Sequence, residues 1–136
     1  MKKNINSYLA FYLFVLFLFG LFFLFIKHSV ENDSTISEWL INYKGGFTKR
    51  GIIGEICIWF ANLFSANLRD IIFGFQTVIL GVYFILIYFF LRNIKVDRIL
   101  LLSIFTPIFI LYPIAEIEVL ARKEVFIFII LLIYLF

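Results

Sequence analysis

The stretch Lys44-Gly45-Gly46-Phe47-Thr48-Lys49-Arg50-Gly51 sets three glycines and three cations within eight positions. Glycine tolerates positive φ and lets backbone amides come close to a ligand, while lysine supplies a point charge and arginine a planar fork of donors. Such a loop suits an anion, phosphate above all. The spacing before the lysine is not that of a Walker loop. A lipid headgroup or lipid-linked diphosphate is therefore the expected ligand of Lys44, Gly45, Gly46, Lys49 and Arg50. The plainer role for the same residues is a glycine turn whose cations rest on anionic headgroups.

Carboxylates flank this loop in sequence. Glu31, Asp33 and Glu38 precede it, and the segment from Pro113 to Glu124 holds Glu116, Glu118 and Glu124 beside Arg122 and Lys123. A positioned carboxylate can accept a proton from an attacking hydroxyl or hold a metal ion, and nearby cations can hold phosphate. Asp33, Glu38, Glu116 and Glu118 are the candidate bases, and Arg122 and Lys123 join the candidate phosphate-binding set. The plain alternatives are acids that solvate a loop, and a Glu118–Arg122 pair four residues apart on a helix, worth about 0.3–0.5 kcal/mol. The chain has one cysteine, Cys57, and one histidine, His28, which excludes a disulfide framework or a cysteine metal site. Cys57 lies among apolar neighbours and is expected to be an inert packed thiol.

The elements that must position these groups are apolar. Of 136 residues, 64% are hydrophobic, 21% aromatic and 15% charged, with mean hydropathy +1.07. A soluble core of this size cannot enclose such an excess, so the bilayer is the expected solvent. The net charge of +3 is scattered between apolar runs and assigns no nucleic-acid partner. Crossing about 30 Å of hydrocarbon takes roughly 20 helical residues. Tyr8 to Ile26 and Ile71 to Leu91 supply charge-free runs of 19 and 21 residues. The first resembles an uncleaved signal anchor. Ile99 to Ala115 is read as a third span, kinked at Pro107 and closed by Pro113. Val125 to Phe136 is a fourth run of 12 residues, about 18 Å long, which is short for a crossing and implies a piece of a longer polytopic chain. The expected fold is thus all-α, a polytopic transmembrane helical protein with three full spans and a truncated fourth. Lys2, Lys3, Arg92, Lys95 and Arg98 put the N-terminus and the 92–98 connection in the cytoplasm, and the 28–70 and 116–124 segments outside.

Within the long outer loop, Ser34 or Thr35 can cap a short helix running to Ile41, with Trp39 suited to the headgroup zone. From 52 to 68, the apolar residues Ile52, Ile56, Trp59, Phe60, Leu63 and Phe64 recur at threes and fours, opposite Glu55, Asn62, Ser65 and Arg69. That spacing predicts an amphipathic helix lying in the interface. Glu55 is placed to bridge to Lys49 or Arg50 at its start.

The order of these parts resembles the amino-terminal module of bacterial GT-C-type glycosyltransferases and surface-polysaccharide polymerases. They share an inside N-terminus, a first span, a large outer loop with acids and interfacial helices, further spans, and a second charged outer loop. The resemblance implies that Glu31, Asp33 or Glu38 takes the place of the first-loop acid and Glu116 or Glu118 that of the second. Lys49, Arg50 and Arg122 would contact the lipid diphosphate, and a divalent cation could join them. It further implies a polyprenyl-phosphate-linked sugar as donor and a bacterial cytoplasmic membrane as location. The chain departs from the family in lacking a paired-acid signature directly after the first span. The alternative is a non-enzymatic membrane subunit or transporter fragment, whose charged loops set topology and whose partners are membrane lipid and other membrane helices.

Overall fold

In hydrocarbon each backbone amide must find its partner within its own segment, and long apolar runs without a β-hairpin signal meet that need as helices. A computed structural model of the chain describes residues 2–30, 34–44, 46, 51–93, 119 and 122–135. It is all-helical, with α1 (Lys2–Ser29), α2 (Ser34–Trp39), α3 (Gly51–Phe64), α4 (Leu68–Asn93) and α5 (Val125–Tyr134). Two helices are long and apolar enough to cross a membrane, Asn6–Ser29 within α1 and Leu68–Asn93. Both outrun the apolar segments expected from sequence, because the helices continue into their polar flanks. At 14 and 10 residues, α3 and α5 are apolar but shorter than a crossing requires. The third span expected over 99–115, with Pro107 and Pro113, lies outside the described residues.

α1 and α4 pack antiparallel. Phe17 meets Phe84 edge-on with ring centroids 5.8 Å apart, Phe25 meets Phe73 at 6.3 Å, and His28 lies against Phe73 at 5.0 Å. Gly81 also faces Phe17, and a Cβ there would sit 3.9 Å from its ring, an ordinary contact distance. α4 buries Ile72, Gln76, Leu80, Tyr83, Ile87 and Leu91, a stripe that advances by threes and fours and so stays on one side of the helix. Leu13 and Leu24 of α1 and Val125, Ile129 and Leu132 of α5 complete the main core. Phe11, Phe14 and Phe22 of α1, and Ile127, Ile130 and Ile133 of α5, face away from it and are exposed. In water such a surface would be an aggregation site, whereas lipid or further helices cover it without cost.

A second, smaller core joins Ile36 and Trp39 of α2, Cys57 of α3 and Ile72 of α4, with Phe126 of α5 packed against it. The side of α3 that meets the protein is lined by its small residues. Gly51, Gly54 and Cys57 are its buried residues, while Ile52, Ile56, Trp59, Leu63 and Phe64 are exposed. The large apolar side chains thus turn outward, as they would toward acyl chains, and small residues admit the protein. Gly54 shows why. A Cβ there would collide with the Ile41 carbonyl oxygen, with the Ile41 carbonyl carbon at 2.8 Å and the Trp39 carbonyl oxygen at 3.0 Å. The chain leaving α2 crosses α3 at this glycine, backbone against backbone.

α3 also ends earlier than the expected 68. Ser65 takes a left-handed conformation at φ 50, and the Ala66 N–H donates to the Ala61 carbonyl at 3.1 Å. This is a Schellman closure, with serine where glycine is usual. Asn67 then caps α4, its Oδ1 accepting the Arg69 N–H at 3.0 Å, and Asp70 in the first turn complements the helix dipole. Replacing Gly54 by alanine should destabilise the fold by about 1–3 kcal/mol, because backbone and not a flexible side chain must yield. Ser65→Gly should raise stability by about 1 kcal/mol by removing left-handed strain. Thermal unfolding of the purified chain in micelles tests both, with opposite signs expected.

Candidate functional site

The polar residues gather at one end of the α1/α4 pair, the end where α2 and α3 lie. Between α2 and α3 the chain is held by local bonds. Asn42 Nδ2 donates to the Leu40 carbonyl at 3.0 Å, and its Oδ1 accepts the Lys44 N–H at 2.9 Å. The Tyr43 N–H reaches Glu55 Oε2 at 3.5 Å, and the Gly46 N–H closes a turn onto the Tyr43 carbonyl at 3.0 Å. Gly46 has φ 117, a conformation that side chains rarely adopt, so glycine is required there by geometry. Glu55 therefore ties down the loop backbone. Lys49 and Arg50, its expected partners, lie outside the described residues. Lys44 itself is exposed and borders a cavity of about 550 Å³, whose wall includes Asn42, Ala61, Asn62 and Ser65.

The second charged segment comes to the same end from far along the chain. Phe126, in the first turn of α5, lies 6.2 Å from the Trp39 ring centroid. Lys123 is close enough to Cys57 for its charge to act on the thiol. Backbone bonds from Phe126 N–H to the Lys123 carbonyl (3.1 Å) and from Ile127 N–H to the Glu124 carbonyl (2.9 Å) start the helix here. Glu38, Arg122 and Lys123 are each half-buried and each engage a neighbour. Glu124 holds one carboxylate oxygen, Oε2, buried without a hydrogen-bond partner among the described residues. Cys57 is fully buried, and burial pushes its thiol pKa up, with the Lys123 ammonium drawing it partly back. The expected inert packed thiol is found.

A third group joins the ends of the two long helices. His28 Nε2 sits 3.1 Å from Asp70 Oδ1, and the Arg69 guanidinium donates to the Val30 carbonyl. These residues fasten α1 to α4. They had no signal in sequence beyond their places in the last turn of one apolar helix and the first turn of another. Glu124 was likewise legible only as one charge among several.

Of the predicted phosphate-binding set, Lys44, Gly46, Arg122 and Lys123 are among the described residues. Lys44 and Gly46 belong to the 42–46 turn, while Arg122 and Lys123 stand at the start of α5, and the described wall of the Lys44 cavity includes neither of the latter. Of the candidate bases, Glu38 is described and sits on α2 beside Trp39. Asp33, Glu116 and Glu118 lie outside the described residues, as do Glu31, Gly45, Lys49 and Arg50. Among the described residues no three of His, Cys, Asp and Glu converge as metal ligands would. In comparison with known proteins, the chain matches no family model, no curated protein and no solved structure.

The closeness of Lys123 to Cys57 is open to a direct test. A raised thiol pKa keeps Cys57 protonated at neutral pH, so alkylation by a small maleimide should be slow there and rise only above the ordinary thiol range. Lys123→Ala removes the charge that favours thiolate, and should move the midpoint of the rate–pH curve further upward. An unchanged midpoint would separate the two residues.

Proposed function

We propose that this chain is the membrane-embedded module of an enzyme that transfers a sugar from a polyprenyl-phosphate-linked donor to an acceptor hydroxyl, at the face formed by α2, α3 and the first turn of α5. The observation that carries this reading is the meeting of two charged segments remote in sequence: Phe126 lies against Trp39 and packs on the small core that holds Cys57, so Arg122, Lys123 and Glu124 share one end of the molecule with Glu38. An apolar carrier suits a chain with two helices long and apolar enough to cross a membrane. In the proposed topology the N-terminus is cytoplasmic in a bacterial inner membrane. Antiparallel packing supports it, since the start of α1, after Lys2 and Lys3, and the end of α4, at Arg92, then share one side. A third crossing by 99–115 belongs to this proposal. Its support is that α4 ends on that side, whereas α5 begins beside α2 and α3 on the other.

In the proposed reaction a carboxylate, Glu38 or one of Asp33, Glu116 and Glu118, takes the acceptor hydroxyl's proton as the oxygen bonds to the anomeric carbon. The bond from that carbon to the phosphate oxygen breaks, and the polyprenyl phosphate leaves with the electron pair. Arg122 and Lys123, with Lys49 and Arg50, balance the charge that develops on it.

The second reading, a non-enzymatic subunit, is favoured by the exposed apolar faces of α1 and α5, which other membrane helices would cover. Transfer of a labelled sugar from a polyprenyl phosphate carrier in native membranes separates the two. Glu38→Gln and Lys123→Ala in the whole protein should each lower transfer by about 100-fold at unchanged protein level, the scale of acid–base or charge-stabilising groups. Unaltered transfer in both, and in Glu116→Gln and Glu118→Gln, would assign the chain to the subunit reading.

A further inference from the structure

We infer that the cavity between the 42–44 turn and the end of α3 binds a phosphate ester that carries free hydroxyls, the chemistry of a phosphoglycerol or sugar phosphate group. The inference is independent of sugar transfer, since a transporter or scaffold could use the same site. Its volume of about 550 Å³ falls within the range of small-ligand pockets. The wall combines one cation, Lys44, with the amide of Asn62 and the hydroxyl of Ser65, over apolar contacts from Ala61 and Leu68. No carboxylate stands in the described wall, which favours an anion over a metal ion or an amine. Two further cavities among the described residues differ in kind. That between α1 and α4, about 430 Å³, is lined by residues such as Leu13, Phe17 and Phe84, and that between α3 and α4 by Phe60, Phe75 and Val78 beside Asp70.

Both walls are preorganised. The Asn42 amide is spent on the turn, bonding Leu40 and the Lys44 N–H, and this fixes the backbone from which the Lys44 side chain rises. The close crossing at Gly54 sets that turn beside α3, and the Schellman closure at Ser65 places the hydroxyl. Lys44 forms no ion pair with a described residue, so its ammonium remains available to the ligand. The exposed Leu63 and Phe64 nearby set the opening at a height where an apolar solvent gives way to a polar one.

The same chemistry can come from a lipid headgroup or a soluble ester, and two arms distinguish them. In the first, the full chain is placed in nanodiscs of phosphatidylcholine mixed with phosphatidylglycerol, and lipid retention is read by native mass spectrometry. In the second, glycerol phosphate is titrated onto the chain in phosphatidylcholine alone. Lys44→Ala and Asn62→Leu, both at exposed positions, should each weaken binding about tenfold, as expected for loss of a charge-assisted or buried polar contact. Lys44→Arg should retain it. Binding sensitive to both substitutions in the first arm assigns a lipid headgroup, and in the second a soluble ester. Absence of binding in both arms, or binding that ignores both substitutions in variants with wild-type helicity and Cys57 reactivity, overturns the inference.

Discussion

The buried stripe of α4, from Ile72 through Gln76, Leu80, Tyr83 and Ile87 to Leu91, is the surface on which the other helices depend. In the proposed bilayer setting, leucine gains nothing by leaving lipid for protein, so association rests on close packing and on the few polar ties available. That explains the character of the α1/α4 contact. Rings meet edge to face along its length, and the loop-side end is closed by His28 against Asp70 and by Arg69 on the Val30 carbonyl. α5 then lies along the same helix, with its first turn against Trp39.

The loop-side layer follows a different rule, because there backbone approaches backbone. α3 offers Gly51, Gly54 and Cys57 to the protein and turns its bulky apolar residues outward. A helix of this kind has two apolar surfaces of unequal grain. The fine one accepts the chain leaving α2, and the coarse one is left for acyl chains or other helices. Everything polar at this end is aimed by that arrangement: Glu55 holds the Tyr43 amide, the turn presents Lys44, and the small core under Trp39 receives the start of α5.

The glycine-and-cation stretch shows how far residue types alone reach. Its glycines were readable as conformational devices, and Gly46 is one, with φ 117 and a closed turn. The grouping of its lysine with Arg122 and Lys123 was a statement about charge, and charge sums carry no direction. Lys44 faces a cavity toward the end of α3, while Lys123 lies by Cys57 on another side of that helix. Ile58, which also lines that cavity, follows Cys57 by about 100° around the α-helix, enough to send neighbours in sequence to different sites.

The sequence by itself made the helices legible. Charge-free runs of 19 and 21 residues predict helices long and apolar enough to cross a membrane, and among the described residues both are present, as are the short helix from Ser34 and the one before Ser65. It also marked Cys57 as a packed thiol, since its neighbours are apolar whichever way the helix faces. What only the tertiary structure decided is which faces meet. A helix such as α3, apolar on most sides, does not announce whether its large or its small residues will touch protein. The answer came from the crossing chain at Gly54, where the absence of a Cβ lets two backbones approach. The pairing of His28 with Asp70, and of Trp39 with Phe126, depends in the same way on distances across the chain that local periodicity does not contain.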